Sequence, residues 1–147
     1  MIRIVRLETL PSQIRDELAK QIVRLAASEA RLLNLTSPKM WRLFLRGLYK
    51  QHTFVLLKDG KVIGFVNYGY NTLNFPELSY IRAIAVVKNE RNNGYGKKLL
   101  RLAIANLSSP IWIVTRLENI KMQSLLRKLG FQFWFRDKDN LAFIRFD

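Results

Sequence analysis

The sequence predicts an α/β fold with α and β elements in mixed order: a mostly antiparallel sheet of six or seven strands flanked by about four helices. Three observations predict it. Several apolar runs alternate at period two and are bounded by turn signals. Four other stretches carry apolar residues at helical spacing. One of those helices joins two strands, a connection that makes the strands parallel neighbours. A chain of 147 residues suits a single domain, residues 1–147, with a substantial core.

The elements follow in order. Residues 2–7, "IRIVRL", alternate apolar and basic side chains and read as a strand with one buried face. From Pro11 the period changes, and Ile14, Leu18, Ile22 and Leu25 fall on one helical stripe, with Asp16 and Glu17 near its start. "NLTSP" breaks the chain. Ser37 then reads as an N-cap with Pro38 at the first helical position, opening a helix expected to bury Trp41, Phe44, Leu45 and Leu48. "HTFVLL" and "KVIGFVNYGY" are strands joined by Asp59-Gly60, a tight-hairpin signal. A turn around Asn71 to Pro76 leads to the strand "LSYIRAIAVV". After a turn at Gly94 comes a helix whose stripe is Leu99, Leu100, Ala103, Ile104 and Leu107. "IWIVT" is a short buried strand. A last helix from Asn119 shows Met122, Leu125, Leu126 and Leu129 on one face and ends at Gly130. "FQFWF" and "LAFIRF" form a hairpin across "RDKDN", and the aromatic run is either core or a strand for a dimer.

Composition narrows the function. There is no cysteine, which removes disulfides, thiolate metal sites and a cysteine nucleophile. No apolar run approaches the roughly 18 residues of a membrane span, and charges recur through "MIRIVRLETL", so neither an anchor nor a signal peptide is expected; the chain reads as soluble and cytoplasmic. Twenty-five Lys and Arg against eleven Asp and Glu give a net charge of +14. Such a surplus suggests a polyanionic partner: a nucleic acid, a membrane surface or a phosphate-rich cofactor. Lys39, Arg42, Arg46 and Lys50 make a basic stripe on the second helix, whose plainer reading is a solvated face.

The stretch "VVKNERNNGYGKKLL" carries the most chemistry. A strand that turns through glycines into a helix offers backbone N–H groups in a nest, with the helix dipole behind them. Gly94 and Gly96 let a ligand approach the backbone without a Cβ in the way. Lys97, Lys98 and Arg101 are each mildly unfavourable at a helix N-terminus, and a bound polyphosphate reverses that sign. The Walker pattern is absent after Gly94, and Leu99 stands where a dinucleotide fingerprint needs its third glycine.

"RNNGYG" fits the Arg/Gln-x-x-Gly-x-Gly/Ala motif of the GNAT superfamily, the acyl-CoA-dependent N-acetyltransferases, and "IAVVKNERNNGYGKKLL" resembles that family's strand, loop and helix throughout. "NIKMQSLLRKLGF" resembles its later Asn-x-x-Ala-x-x-x-Tyr-x-x-x-Gly-Phe element, with Asn119, Gly130 and Phe131 in register. The element order matches as well. The resemblance implies the GNAT fold, whose parallel central strands splay apart, and acetyl-CoA as co-substrate with no metal. It implies that backbone groups of Ile84, Val86 and Val87 bond the pantetheine arm. Arg91 and the N–H groups of Asn92, Asn93, Gly94, Tyr95, Gly96 and Lys97 would hold the pyrophosphate, and Asn119 would reach the pantetheine across the gap. The family reaction is direct attack of an amine on the thioester, with the Val86 region supplying the oxyanion donor.

The departures from the family lie at the acid and base. Leu126 occupies the position of the usual thiolate-protonating tyrosine, and Met122 replaces a small residue. Tyr80 stands where some members carry a glutamate base, so Tyr80 is the expected catalytic side chain. Tyr68, Tyr70, Glu77, Glu118, His52 and Ser124 are the other candidates, each with a plainer role in packing or at the surface. The implied function is acetyl transfer to an amine of a small molecule, peptide or protein by a monomer or homodimer. The alternatives are an RNA-linked or ribosomal acceptor, suggested by the basic stripe, or a CoA- or RNA-binding module that has lost catalysis, suggested by Leu126.

Overall fold

The computed structural model of the chain describes residues 1–71 and 78–147. These residues form seven strands and four α-helices: β1 (Ile2–Arg6), α1 (Ser12–Ser28), α2 (Pro38–Lys50), β2 (His52–Lys58), β3 (Lys61–Asn71), β4 (Leu78–Val86), α3 (Tyr95–Ala105), β5 (Ile111–Arg116), α4 (Ile120–Lys128), β6 (Gln132–Asp137) and β7 (Asn140–Arg145). They form one sheet in the order β1-β2-β3-β4-β5-β7-β6. Every neighbouring pair is antiparallel except β4 and β5, the pair joined through α3.

Local chemistry sets the punctuation. The Ser37 hydroxyl accepts from the Met40 N–H with Pro38 following it, which satisfies one orphan donor of α2. Asp59 (φ 51°) and Gly60 (φ 81°) both take positive φ, the requirement of the tight turn joining β2 to β3. Gly130 (φ 90°) ends α4: its N–H bonds to the Arg127 carbonyl and that of Phe131 to the Leu126 carbonyl, a Schellman pair.

Two cores line the faces of the sheet. On one, α1 and α2 bring Leu18, Ile22, Phe44 and Leu48 against Val55, Phe65 and Ala83. On the other, α3 and α4 bring Leu99, Leu100 and Leu126 against Leu56, Val66, Ile81 and Phe143. Three expectations are corrected. Ile14 is 52% exposed, because it lies in the first turn of α1 and the buried stripe starts at Leu18. Leu45 is 38% exposed, because α2 turns the stripe Phe44, Gly47 and Leu48 inward and Leu45 points roughly 100° away from it. Of the aromatic run "FQFWF", Phe131 is core, whereas Phe133, Trp134 and Phe135 all lie exposed on the edge strand β6.

A carboxylate pins the sheet end near α2. Glu8 accepts from the Thr53 N–H at 3.0 Å and lies 2.9 Å from His52 Nδ1. Burial alone would raise its pKa, but the Thr53 and His52 contacts outweigh that and hold it below 4.5. The folded value is therefore the lower one, so this stability is present above the unfolded pKa and is lost as pH falls through the folded one. Glu8→Gln is expected to cost about 1 kcal/mol near neutral pH and to flatten the acid limb of stability. Urea melts from about pH 7 down to about pH 3 check it; an acid limb of unchanged steepness would rule Glu8 out as its source.

Candidate cofactor cleft and acceptor cavity

The parallel pair holds together over three positions only, Ser79–Ile111, Tyr80–Trp112 and Ile81–Ile113. Beyond them β4 stays with β3, with Ile84 opposite Val66 and Val86 opposite Gly64, while β5 stays with β7, with Thr115 opposite Leu141. The two strands therefore part. The divergence begins at a bulge, where Asn67 faces Ala83 and Tyr68 faces Ile81, leaving Arg82 as the extra residue.

Parting the strands leaves an unpaired backbone edge. The Val87 N–H donates to the Ile63 carbonyl at 2.8 Å, so Val87 faces β3. Alternation along an antiparallel strand then turns Ala85 toward β3 and turns Ile84 and Val86 toward the gap. The Val86 carbonyl accepts from Arg91 Nε at 3.0 Å, in agreement with that direction. The expectation that Val87 bonds a cofactor arm is corrected for its N–H, which is engaged inside the sheet.

The gap opens into a cleft of about 560 Å³ that runs to the glycine turn and the N-terminus of α3. Gly94 takes φ 78° at the N-cap position, no side chain caps the helix, and no atom lies within 4 Å of where a Cβ would stand. The first-turn N–H groups thus face open space with the dipole behind them. Ile84, Val86, Arg91, Asn92, Gly94, Tyr95, Gly96, Lys97 and Asn119 all line this cleft. Asn93 does not; its carboxamide donates to the Glu90 carbonyl and closes the turn. Asn119 caps α4, its Oδ1 accepting from the Met122 N–H at 3.3 Å, which leaves its Nδ2 for a ligand. Lys97 also borders a neighbouring hollow with Lys98 and Arg101.

The structure adds residues that sequence reasoning missed. Lys121, Leu125 and Lys128, at helical spacing on α4, form the far wall of the cleft. Glu29 lies on its rim, ion-paired with Arg91, and Arg31 pairs with Glu118 at 2.9 Å, so the connection from α1 to α2 is tied to both banks. The other rim carboxylate, Glu90, pairs with Lys58 at 2.7 Å. Lys97, Lys121 and Lys128 have no ion pair among the described residues, which leaves the cleft electropositive. The i, i+4, i+7 spacing at 121, 125 and 128 was the available signal.

A second cavity of about 490 Å³ lies across the splay and shares Leu32, Leu33, Ile84, Asn119 and Met122 with the first. The two spaces therefore meet between β4 and β5. Tyr80 belongs to this second cavity, its ring 4.5 Å from that of Trp112. Burial raises the Tyr80 pKa above 10.0, with Arg82 opposing, so the phenol is protonated at neutral pH and can donate. The other acid–base candidates are elsewhere. Tyr68 is buried in the sheet among core residues, and His52 stacks on it and meets Glu8. Glu118 is held below 4.5, chiefly by its hydrogen bond from Arg116, and Ser124 is exposed on α4. Glu77 and the side chain of Tyr70 lie outside the described residues. Leu126 is fully buried in the core under α4 and lines neither cavity. The stripe Lys39, Arg42, Arg46 and Lys50 is exposed on α2 and also lines neither.

Among the described residues no helix is long and apolar enough to cross a membrane, and no group of three or more His, Asp or Glu could hold a metal. A comparison with curated proteins found no significant match. Solved structures of similar fold include an IAA acetyltransferase from Bacillus cereus (19% identity, TM-score 0.69, all of both chains covered). They also include a GNAT-family acetyltransferase from Streptococcus pneumoniae (18% identity, TM-score 0.70, 99% of this chain and 100% of that one). A third is the Campylobacter jejuni N-acetyltransferase PseH in complex with acetyl coenzyme A (16% identity, TM-score 0.63, 100% of this chain and 99% of that one). At these identities the likeness is one of fold. The sequence pattern of the acetyltransferase (GNAT) family matches residues 27–131, well over half of the chain, so the chain belongs to the GNAT family of acetyltransferases.

Proposed function

We propose that the protein transfers an acetyl group from acetyl-CoA to an amine, with the cofactor arm along the free edge of β4 and the amine entering from the Tyr80 side. The observation that carries this reading is the parting of β4 from β5: it leaves Ile84 and Val86 without a strand partner on that side, beside the point where the two cavities meet.

The residues fit the cofactor. An extended pantetheine can pair with Ile84 and Val86 as an added strand would. The pyrophosphate fits the open turn at Gly94, where the first-turn N–H groups of α3 and the unpaired Lys97 converge. Lys121 and Lys128 add cations on the facing wall. Acetyl-CoA supplies a thioester whose carbonyl carbon accepts the amine, the C–N bond forming as the C–S bond breaks. The Val86 N–H, fixed by the sheet and aimed into the gap, stabilises charge on the carbonyl oxygen. Tyr80, held as a neutral phenol in the second cavity, orients the acceptor, and the amine proton passes through water to the departing thiolate. Leu126 takes no part, since it is buried in the core.

Thermal unfolding with acetyl-CoA tests the cofactor half. At about 100 times its Kd the ligand is expected to stabilise the fold by about 2.7 kcal/mol. Gly94→Glu should abolish that shift, because its carboxylate would occupy the phosphate position. No shift in the folded wild-type protein would overturn the reading.

A further inference from the structure

Two residues that line the acceptor cavity each carry a buried polar atom with no hydrogen-bond partner among the described residues: Arg82 at Nε and Asn140 at Oδ1. Arg82 is the bulged residue of β4, and its side chain runs under α2. A Cβ on Gly47 would stand 2.9 Å from Arg82 Nε, so the glycine makes room for the guanidinium. The group lies 5.3 Å from the Tyr80 ring centroid. Arg6, Arg31, Arg91 and Arg116 each meet a carboxylate, whereas Arg82 meets none among the described residues. A partly desolvated guanidinium without a counter-ion is costly, and the cost is recovered when an anion arrives. Asp137 on β6 is the cavity's other charged lining residue, so one cation and one anion share an otherwise largely apolar chamber.

We propose that Arg82 is an anion subsite of the acceptor cavity and that the acceptor is an amine carrying a carboxylate, as in a short peptide or an ω-amino acid. This rests on the reading of that cavity as the acceptor side. The planar guanidinium fork matches a carboxylate, and Asp137 in the same chamber disfavours a dianion there. Arg82 precedes Val86 by four residues, about 13 Å of strand, part of which the Arg82 side chain spans, so amine and carboxylate should be separated by several atoms.

The test compares acetyl transfer to alanyl-phenylalanine and 6-aminohexanoate with transfer to their carboxamides, and to 2-aminoethyl phosphate. The wild-type protein should favour at least one acid over its amide roughly ten- to hundredfold in kcat/KM, the scale of a charge-assisted hydrogen-bonded pair. Arg82→Met should bring that ratio near one, and Arg82→Lys should keep part of it. Gly47→Ala, which displaces the guanidinium without removing its charge, should reduce the ratio independently. An acid-to-amide ratio near one in the wild type, or one that survives Arg82→Met, overturns the subsite, and preference for the phosphate overturns the carboxylate. If acetyl-CoA still raises the melting temperature while no acid is turned over, the subsite fails and the cofactor reading stands. Loss of that thermal shift in the wild type overturns the cofactor reading instead.

Discussion

Phe65→Ala is expected to destabilise the fold by about 3–5 kcal/mol, a large share of the 5–15 kcal/mol typical of a domain. Phe65 is fully buried in the middle of β3, between Val55 of β2 and Ala85 of β4. Its ring meets Phe44 edge-on at 6.0 Å, and Phe44 meets Trp41 at 5.8 Å, so one aromatic chain fastens α2 to the sheet. Truncation leaves a cavity that β-sheet backbone on both sides cannot collapse to fill. The melting temperature should fall by on the order of 10 °C, with the urea m-value unchanged. Phe133→Ala is the matched control: the same chemistry on an edge strand, 51% exposed, expected to stay within about 1 kcal/mol of wild type. If the two variants melt together, Phe65 does not anchor the helical layer.

The legible parts of this fold are those written in neighbouring residues. Ser37-Pro38, Asp59-Gly60 and Gly130 set caps and turns through φ preference and short hydrogen bonds, which depend on little beyond the local chain. The open glycine turn was legible for the same reason, since Arg91 to Lys97 form one continuous segment, all of which but Asn93 lines the cleft. What the sequence hid depends on long-range packing. Glu29 reaches Arg91 across 62 positions, and nothing near either residue announces the pair. Leu45 and Leu48 look alike on a helical wheel until Gly47 shows which side of α2 closes on the sheet. Arg82 reads as an ordinary outward strand residue; only the register of β3 against β4 makes it a bulge, and it lines the second cavity. Val87 looked equivalent to Val86, and the bond to Ile63 decides that they face opposite ways.

That last distinction yields the largest catalytic effect expected here, from a pair of proline substitutions one residue apart. Proline removes a backbone N–H and leaves the carbonyl. At Val86 the N–H faces the gap, so Val86→Pro should lose no bond of the β3–β4 ladder and should keep the carbonyl that Arg91 uses. Under the proposed mechanism it removes the donor to the thioester oxygen, and kcat should fall by about 10²–10³. The residue before it, Ala85, is already extended in the strand, which is what a following proline requires. At Ala85 the N–H faces β3, opposite Phe65, so Ala85→Pro should instead break a central ladder bond and lower stability by about 3 kcal/mol. The two variants thus separate donor loss from strand damage. Melting curves and steady-state rates on both proteins read the difference. A Val86→Pro protein that folds and turns over at the wild-type kcat would show that the strand edge positions the cofactor without stabilising the charge that develops on its carbonyl oxygen.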